Sequence, residues 1–296
     1  GRLVWLGFAG QPQGSVRAMT SAAISIARPD IVDRNGTVMA TDIKSFSVFA
    51  EPRKILDADE AAELISAVLP DLDAKQLRDK LRNGKGFAWV KREISPQEYQ
   101  EVFRLGIPGV GFLPENKRVY PNGTAAAHVL GAVNFDNEGI AGLEKYLDGA
   151  GLRDLNGAGF ATSATELAPV ELSIDLGAQH ALRDELAKAM AKFQAKAAAG
   201  VVLDVTNGEI VALVSLPDFD PNVPADALKP DRINRINVGV YEMGSTLKAL
   251  TTAMALDSGR FTINSQLDAT QALRYGRFRI NDYRGQNRFL TVPESF

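Results

Sequence analysis

Gly244-Ser245-Thr246-Leu247-Lys248 opens a stretch that reads as a helix running to Gly259. From Ser245 to Ser258 nearly every residue is apolar or small, and the only charges are Lys248 and Asp257. Positions i and i+3 share one face of a helix, so a first-turn Ser245 has Lys248 beside it. A lysine on an apolar helix is costly unless it snorkels or performs chemistry. The expectation is a buried helix that carries a serine–lysine pair. The bland alternative is a helix-start serine with a snorkelling lysine. Ser-x-x-Lys alone does not choose between them, because roughly one accidental match is expected in a chain like this.

Composition narrows the field. The 296 residues suffice for two ordinary domains, and 45% hydrophobic with 23% charged residues is a globular composition. A formal charge of -3 and no basic block give no reason to expect nucleic acid. The absence of cysteine excludes thiol catalysis, disulfides and Cys-ligated metal. His128 and His180 are the only histidines and lie far apart, so a histidine metal site or a Ser-His-Asp triad is poorly supplied. No stretch reaches the apolar length of a membrane span. Leu3-Val4-Trp5-Leu6-Gly7-Phe8 reads either as the outer end of a removed transmembrane helix, with Trp5 at the interface, or as a short buried segment.

Residues 31–40 read as strand, turn and strand, because Asn35-Gly36 accepts positive φ at both turn positions. Residues 45–50 alternate as a third strand. Asp57 caps a helix that runs to Leu69 and stops at Pro70, and a second helix, about 73–82, ends at Asn83-Gly84. Residues 87–90 form a strand. Ser95-Pro96-Gln97-Glu98 has the form of a capping box, and Gly106 closes the helix that follows. Residues 110–112 and 118–120 look extended, and 124–130 and 140–147 read as short helices. Residues 149–168 are rich in Gly, Ala, Ser and Thr and read as a linker. This divides the chain into a first domain, 1–165, and a second, 166–296.

The second domain opens with a strand over 170–175 that ends at a capping Asp175. An amphipathic helix follows over about 178–197, with Leu182, Leu186, Met190 and Phe193 on one face. Residues 200–205 and 210–216 make a hairpin about the turn 206–209. A polar loop over 226–237 leads to Tyr241 and the Ser245 helix, and 277–282 and 289–292 hold the last extended hints. Strand, long helix, hairpin and buried helix suggest an antiparallel sheet covered by helices, an α+β layout.

Several stretches then resemble one family. Val170-Glu171-Leu172-Ser173-Ile174-Asp175 followed by Gln179 resembles the opening of the transpeptidase domain in class B penicillin-binding proteins. Asp204-Val205-Thr206-Asn207-Gly208-Glu209-Ile210-Val211-Ala212 resembles that domain's first hairpin, and Ser215-Leu216-Pro217-Asp218-Phe219-Asp220-Pro221-Asn222 resembles the segment leaving it. Asn234-Arg235, then Tyr241-Glu242-Met243 and the opening pentapeptide, resembles the approach to the active serine. The family usually has Pro at Met243 and often Phe at Leu247; neither change removes a reactive group. In the first half, Asp33-Arg34-Asn35-Gly36 is similar to the family's membrane-proximal motif. So is Arg118-Val119-Tyr120-Pro121, continuing through His128 and Gly131 to Gly139 and Gly142-Leu143-Glu144. The motifs span nearly the whole chain in the family's order, and their wording is nearest to division-type (septal) transpeptidases.

The resemblance implies a membrane-proximal pedestal of the dimerisation type over 1–165 and the N-terminal part of a penicillin-binding transpeptidase domain over 166–296. Ser245 would attack the carbonyl of the penultimate D-Ala of a peptidoglycan stem peptide. Lys248, with its pKa depressed by an apolar surround, would act as a neutral base. The Ser245 backbone N–H would be one oxyanion donor. D-Ala leaves, and an amine of a neighbouring stem peptide resolves the acyl-enzyme as a crosslink. β-Lactams would acylate the same serine, and no metal or cofactor is required. Implied partners are lipid-linked or nascent glycan strands, the septal peptidoglycan polymerase and other divisome proteins, at the bacterial inner membrane with a single-pass anchor absent from these residues. The family also needs Ser-x-Asn and a Lys-Thr-Gly or Lys-Ser-Gly strand, and neither follows Lys248. The expectation is a transpeptidase truncated at both ends and inactive as it stands.

Other readings stay open. Residues 1–165 could be a non-catalytic periplasmic module that docks on divisome proteins, or the chain could belong to an elongation-type transpeptidase. A penicillin-sensing or β-lactamase relative is a further possibility, though the long first domain argues against a lone β-lactamase. Asp33-Arg34-Asn35-Gly36 reads as a turn that helps to pack the two domains. Arg118 and Glu144 read as a structural pair within the first domain. His128 reads as a packed helix residue, His180 as a surface or capping residue, and Asp220 and Asn222 as turn chemistry.

Overall fold

The computed structural model describes residues 27–84, 86–152 and 167–296. The apolar segment 3–8 and most of the linker, 153–166, lie outside the described residues. Two compact units divide the chain between Gly239 and Val240.

The first unit begins with β1 (Ile31–Val32) and β2 (Val38–Ala50) about the Asn35-Gly36 turn. Gly36 takes φ 78°, which an L-residue rarely adopts. β2 is one strand of 13 residues, so the separate strand expected at 45–50 is its second half. It stays continuous because β4 (Val110–Val119) pairs antiparallel along it, from Thr41↔Val119 to Ala50↔Val110. The two extended hints at 110–112 and 118–120 are the ends of β4. Between them Pro114-Glu115-Asn116-Lys117 carries no apolar alternation, yet it is strand because β2 supplies its partners. β3 (Ala88–Ile94) pairs antiparallel with the same strand.

Three helices cover this sheet. α1 (Ala58–Val68) is capped by Asp57, α2 (Ala74–Asn83) by Asp73, and α3 (Pro96–Arg104) by the reciprocal box of Ser95 and Glu98. Each cap satisfies backbone N–H groups that the first helical turn leaves without partners. Ile65, Leu69, Leu77, Leu81 and Val102 pack from the helices onto Val48, Ala50, Val90 and Ile94 of the sheet.

A second layer of the unit holds α4 (Ala127–Leu130), β5 (Ala132–Val133), β6 (Gly139–Ala141) and α5 (Gly142–Leu147). Its backbones approach closely. A Cβ at Gly131 would lie 1.8 Å from the Ala141 carbonyl oxygen, and one at Gly139 would lie 2.3 Å from the Glu144 carbonyl carbon. Those glycines let α5 bring Glu144 into the interior. There Arg28 Nε donates to Glu144 Oε2 at 2.6 Å and Arg118 Nε donates to Oε1 at 2.7 Å. The Tyr120 hydroxyl donates to Oε1 at 3.2 Å. Arg28 also meets Asp148 at 2.8 Å, and Arg118 meets Asp42 at 3.2 Å. Burial pushes the Asp42 carboxyl up, against the pull of Arg118 and the Arg28 backbone N–H. The expected Arg118–Glu144 pair is thus present, and Arg28 is its unforeseen third member.

β7 (Val170–Glu171) pairs in parallel with β1. The strand that the sequence assigns to the start of a second domain therefore extends the first sheet, and Ile174 and Leu176 share a core with Ile31, Met39, Tyr120 and Leu130. α6 (Leu176–Phe193) follows, with Asp175 as its cap. It lies on the hairpin of β8 (Ala198–Leu203) and β9 (Ile210–Leu216). Leu182 and Leu186 come within 3.1 and 3.2 Å of a Cβ built on Gly200. Gln179, 1% exposed, pairs with both backbone groups of Leu213, at 2.7 and 2.8 Å. α7 (Pro224–Ala227) is a single turn in the loop beyond.

The second unit contains a 3-10 turn, Gly244–Thr246, leading directly into α8 (Leu247–Asp257). β10 (Gln266–Asp268) pairs with β13 (Phe289–Thr291), and β11 (Leu273–Tyr275) pairs with β12 (Phe278–Ile280), both antiparallel. The final turn α9 (Val292–Ser295) has a capping box of Thr291 and Glu294. No helix among the described residues is long and apolar enough to cross a membrane.

Glu144→Ala leaves two buried guanidinium groups without their shared carboxylate and is expected to cost the first unit about 3–5 kcal/mol. A urea titration followed by circular dichroism reads the loss, and Glu144→Gln should recover part of it. Asp33 gives a pH signature. Burial raises its carboxyl, but N–H groups of Thr37, Leu176 and Asn35 outweigh that and hold it below the usual range. Its contribution is full above the unfolded value of about 4 and disappears as pH falls through the lowered folded value. Asp33→Asn should therefore lower the urea midpoint at pH 7 and flatten its decline on acidification to about pH 3.

Candidate active site

Ser245 lies in the 3-10 turn, and Lys248 lies in the first turn of α8. Gly244, at φ 53°, makes the bend into the turn. The i, i+3 spacing thus falls on continuous helical backbone, as the sequence predicts. The burial of this helix does not follow the prediction. Ser245 and Lys248 are exposed, and α8 has no buried residue. Leu250 and Met254 are 64% and 68% exposed. The small ribbons of the same unit enclose Leu290 and Val292 instead, and form no layer over α8. The apolar surround that would desolvate Lys248 is therefore not formed by these residues.

The segment before residue 240 is held firmly. Ser215 Oγ, fully buried, donates to the Ile233 carbonyl at 3.0 Å and accepts from the Arg235 N–H at 3.0 Å. Arg232 Nη1 donates to the Asp218 carbonyl at 2.6 Å. His128 Nε2 lies 2.8 Å from the Arg232 carbonyl, and its ring meets Phe219 edge-on at 5.2 Å. Burial pushes the His128 imidazole down, and the Arg232 carbonyl opposes the shift. The expected packed helix histidine is therefore also a clamp on the loop behind Asn234-Arg235. His180 is exposed, as expected.

Two further sets of residues tie the first half to the hairpin segment. Arg34 Nη2 meets Glu209 at 2.5 Å, and Asn35 Nδ2 donates to the α6 cap Asp175 at 3.1 Å. Asp33 accepts from the Leu176 N–H at 3.2 Å. The turn 33–36 thus joins its own strand pair to the start of α6 and to the hairpin tip. Asn222 accepts from the Tyr120 N–H at 3.0 Å and donates to its carbonyl at 3.1 Å. Its N–H also donates to Asp220 Oδ1 at 2.9 Å, the turn chemistry the sequence suggests. Turn chemistry accounted for the backbone of Asn222 but not for the long-range reach of its side chain. No group of three or more His, Asp or Glu among the described residues is placed to hold a metal ion.

Comparison with known proteins adds independent information. The penicillin-binding protein dimerisation domain matches residues 23–153, and the penicillin-binding protein transpeptidase domain matches residues 198–294. A probable peptidoglycan D,D-transpeptidase FtsI of Caulobacter vibrioides is 40% identical over 270 residues, covering 91% of this chain and 44% of that protein. A probable peptidoglycan D,D-transpeptidase PenA of Neisseria gonorrhoeae is 37% identical, covering 91% of this chain and 49% of that protein. In three dimensions a peptidoglycan synthetase from Bifidobacterium adolescentis shares the fold, with a TM-score of 0.59 at 21% identity over 91% of this chain and 56% of the other. With both domains present in the same order, the chain belongs to the class B penicillin-binding proteins. It spans about half the length of the curated relatives it matches.

Ser215→Ala leaves the Ile233 carbonyl and the Arg235 N–H without their shared partner. The expected cost is about 1–3 kcal/mol. Hydrogen exchange at the Arg235 amide should speed up accordingly, while exchange in α1 should not change.

Proposed function

We propose that this chain is the part of a septal peptidoglycan D,D-transpeptidase that carries the acylating serine. The observation that carries the reading is the placement of Ser245 and Lys248 one turn apart at a helix start, inside the residues matched by the transpeptidase domain. Ser245 Oγ attacks the carbonyl of the penultimate D-Ala of a stem peptide and forms an acyl ester, and D-Ala departs with a proton. Lys248 takes the hydroxyl proton as the base of the pair. The Ser245 N–H donates to the oxyanion. An amine of a second stem peptide then displaces the serine and completes the crosslink. β-Lactams acylate the same oxygen.

The division role rests on the division-type wording of the motifs and on the FtsI relative. On this reading the partners are nascent or lipid-linked glycan strands, the septal polymerase and other divisome proteins. The protein sits at the inner membrane on a single-pass anchor, with its domains in the periplasm. The domains divide at about 165/166, between the two matched stretches 23–153 and 198–294. The compact units divide later because the segment after 166 is built into the first sheet and its core.

Fluorescent penicillin tests the reading. The full gene product should be labelled covalently, and Ser245→Ala should abolish the label. Label that persists in Ser245→Ala would refute the nucleophile. Residues 1–296 alone should take up little label. They contain neither Ser-x-Asn nor Lys-Thr-Gly after Lys248, and their serine and lysine are open to solvent.

A further inference from the structure

His128 is the only titratable side chain on α4. Its Nε2 stands 2.8 Å from the Arg232 carbonyl. A carbonyl only accepts, so Nε2 carries the hydrogen and Nδ1 of the neutral ring carries none. The contact joins the first half of the chain to the loop 226–237. Arg232 Nη1 reaches on to the Asp218 carbonyl, and Phe219 flanks the imidazole at 5.2 Å. At Arg232, then, the loop is fastened by a ring whose charge can change near neutral pH.

The surroundings of the ring disfavour that charge. The loop brings Arg232 and Arg235, with Asp231 3.5 Å from Arg232. The segment after β9 brings Asp218, and α6 brings Arg183, whose guanidinium engages Asp218 at 2.6 and 3.3 Å. Three guanidinium groups thus surround one carboxylate that is already paired. Gln179 of α6 and Ser215 of β9 are neutral, and the packing of α4 and Phe219 onto Ala132, Ile140 and Ala227 is apolar. The gap that His128 shares with Gln179, Arg183, Ser215 and Asp218 is about 10 Å³, room for one water molecule at most. An imidazolium there would gain little hydration. Burial pushes the ring down and the two loop arginines add to it, against the Arg232 carbonyl and Asp218.

We propose that His128 is an acid-released latch: as a neutral ring it holds the loop at Arg232 to α4, and on taking a proton it lets the loop go. A released ring titrates at the ordinary value of about 6.5, and the packed ring titrates below it. Above about pH 6.5 both forms are neutral and the latch is at full strength. As pH falls the released form takes up the proton first, and the latch weakens until pH has passed below the packed value. Uptake of one proton shifts the balance by at most about tenfold per pH unit. The loop continues through Tyr241 into the turn of Ser245, so the latch anchors the approach to that turn.

Hydrogen exchange of the full gene product, followed from about pH 8 to about pH 5, tests the latch. The Lys229 and Arg232 amides close turns of the loop at 3.2 and 3.0 Å. Their protection, corrected for the intrinsic pH dependence of exchange, should hold steady above about pH 7 and fall severalfold by about pH 5. Amides of α1 should not follow. H128Q keeps a donor and loses the titration, so its protection should stay flat across the range. H180Q should leave the fall in place. The histidine ring signal that disappears in H128Q should titrate in the wild-type protein with a midpoint below about 6.5, in step with the loss of protection. Thermal melting checks that H128Q is folded, and the wild-type ring titration stands without it. Flat protection in the wild-type protein, a fall that persists in folded H128Q, or a His128 midpoint at or above the ordinary value each overturns the proposal.

Discussion

Glu144 is completely buried, and two guanidinium groups close on its two oxygens. Taking three charges out of water is expensive, and their attraction offsets the cost only where every remaining donor finds an acceptor. Here each remaining guanidinium nitrogen finds one. Arg28 reaches Asp148, the Asn137 carbonyl and the Glu144 carbonyl, and Arg118 reaches Asp42 and the Pro29 carbonyl. These partners come from the start of the first strand pair, the middle of β2, the end of β4, and α5. One carboxylate therefore fixes the meeting of segments more than a hundred residues apart. The glycines at 131 and 139 serve the same end, because any side chain there would drive α5 away and withdraw Glu144.

The same economy of contact joins the pedestal stretch to the elements beyond the linker. Asp33, Arg34 and Asn35 each reach a different target, the Leu176 N–H, Glu209 and Asp175. Asn222 reads both backbone groups of Tyr120, whose hydroxyl ends on Glu144. His128 holds the Arg232 carbonyl, next to the loop that Ser215 fastens. The family match divides the chain into two domains, whereas the packing makes one unit as far as Gly239. Both hold, because residues 170–176, which lie between the two matched stretches, supply a strand and two core residues to the first sheet and its core.

In the second unit local backbone form and environment part company. The 3-10 turn and the helix after it bring serine and lysine into register, which needs nothing beyond these few residues. Tuning a lysine into a base needs a dry surround, which requires side chains from elsewhere. The exposure of α8 shows how little of that surround residues 240–296 provide by themselves.

The sequence by itself determined the helix caps, the hairpins, the Ser245–Lys248 spacing and the family, because each depends on residues close together in the chain. Asp57 and Ser95 cap their helices through N–H groups two or three residues away, and Asn35-Gly36 turns a chain without distant help. The order of the motifs could likewise be read without coordinates. Only the tertiary structure decided the rest. It showed β2 and β4 as long partners, since Pro114 to Lys117 has no strand pattern of its own and takes its form from the neighbour. It enlisted Arg28 beside Arg118, gave Asn222 its reach to Tyr120, and drew β7 into the first sheet. It left α8 open where its composition foretold burial. It also set Arg274 against Arg279, which sequence spacing hid. The physical reason is common to all of these. Burial, charge pairing and strand register are properties of what lies opposite a residue, and the chain does not state what lies opposite until it has folded.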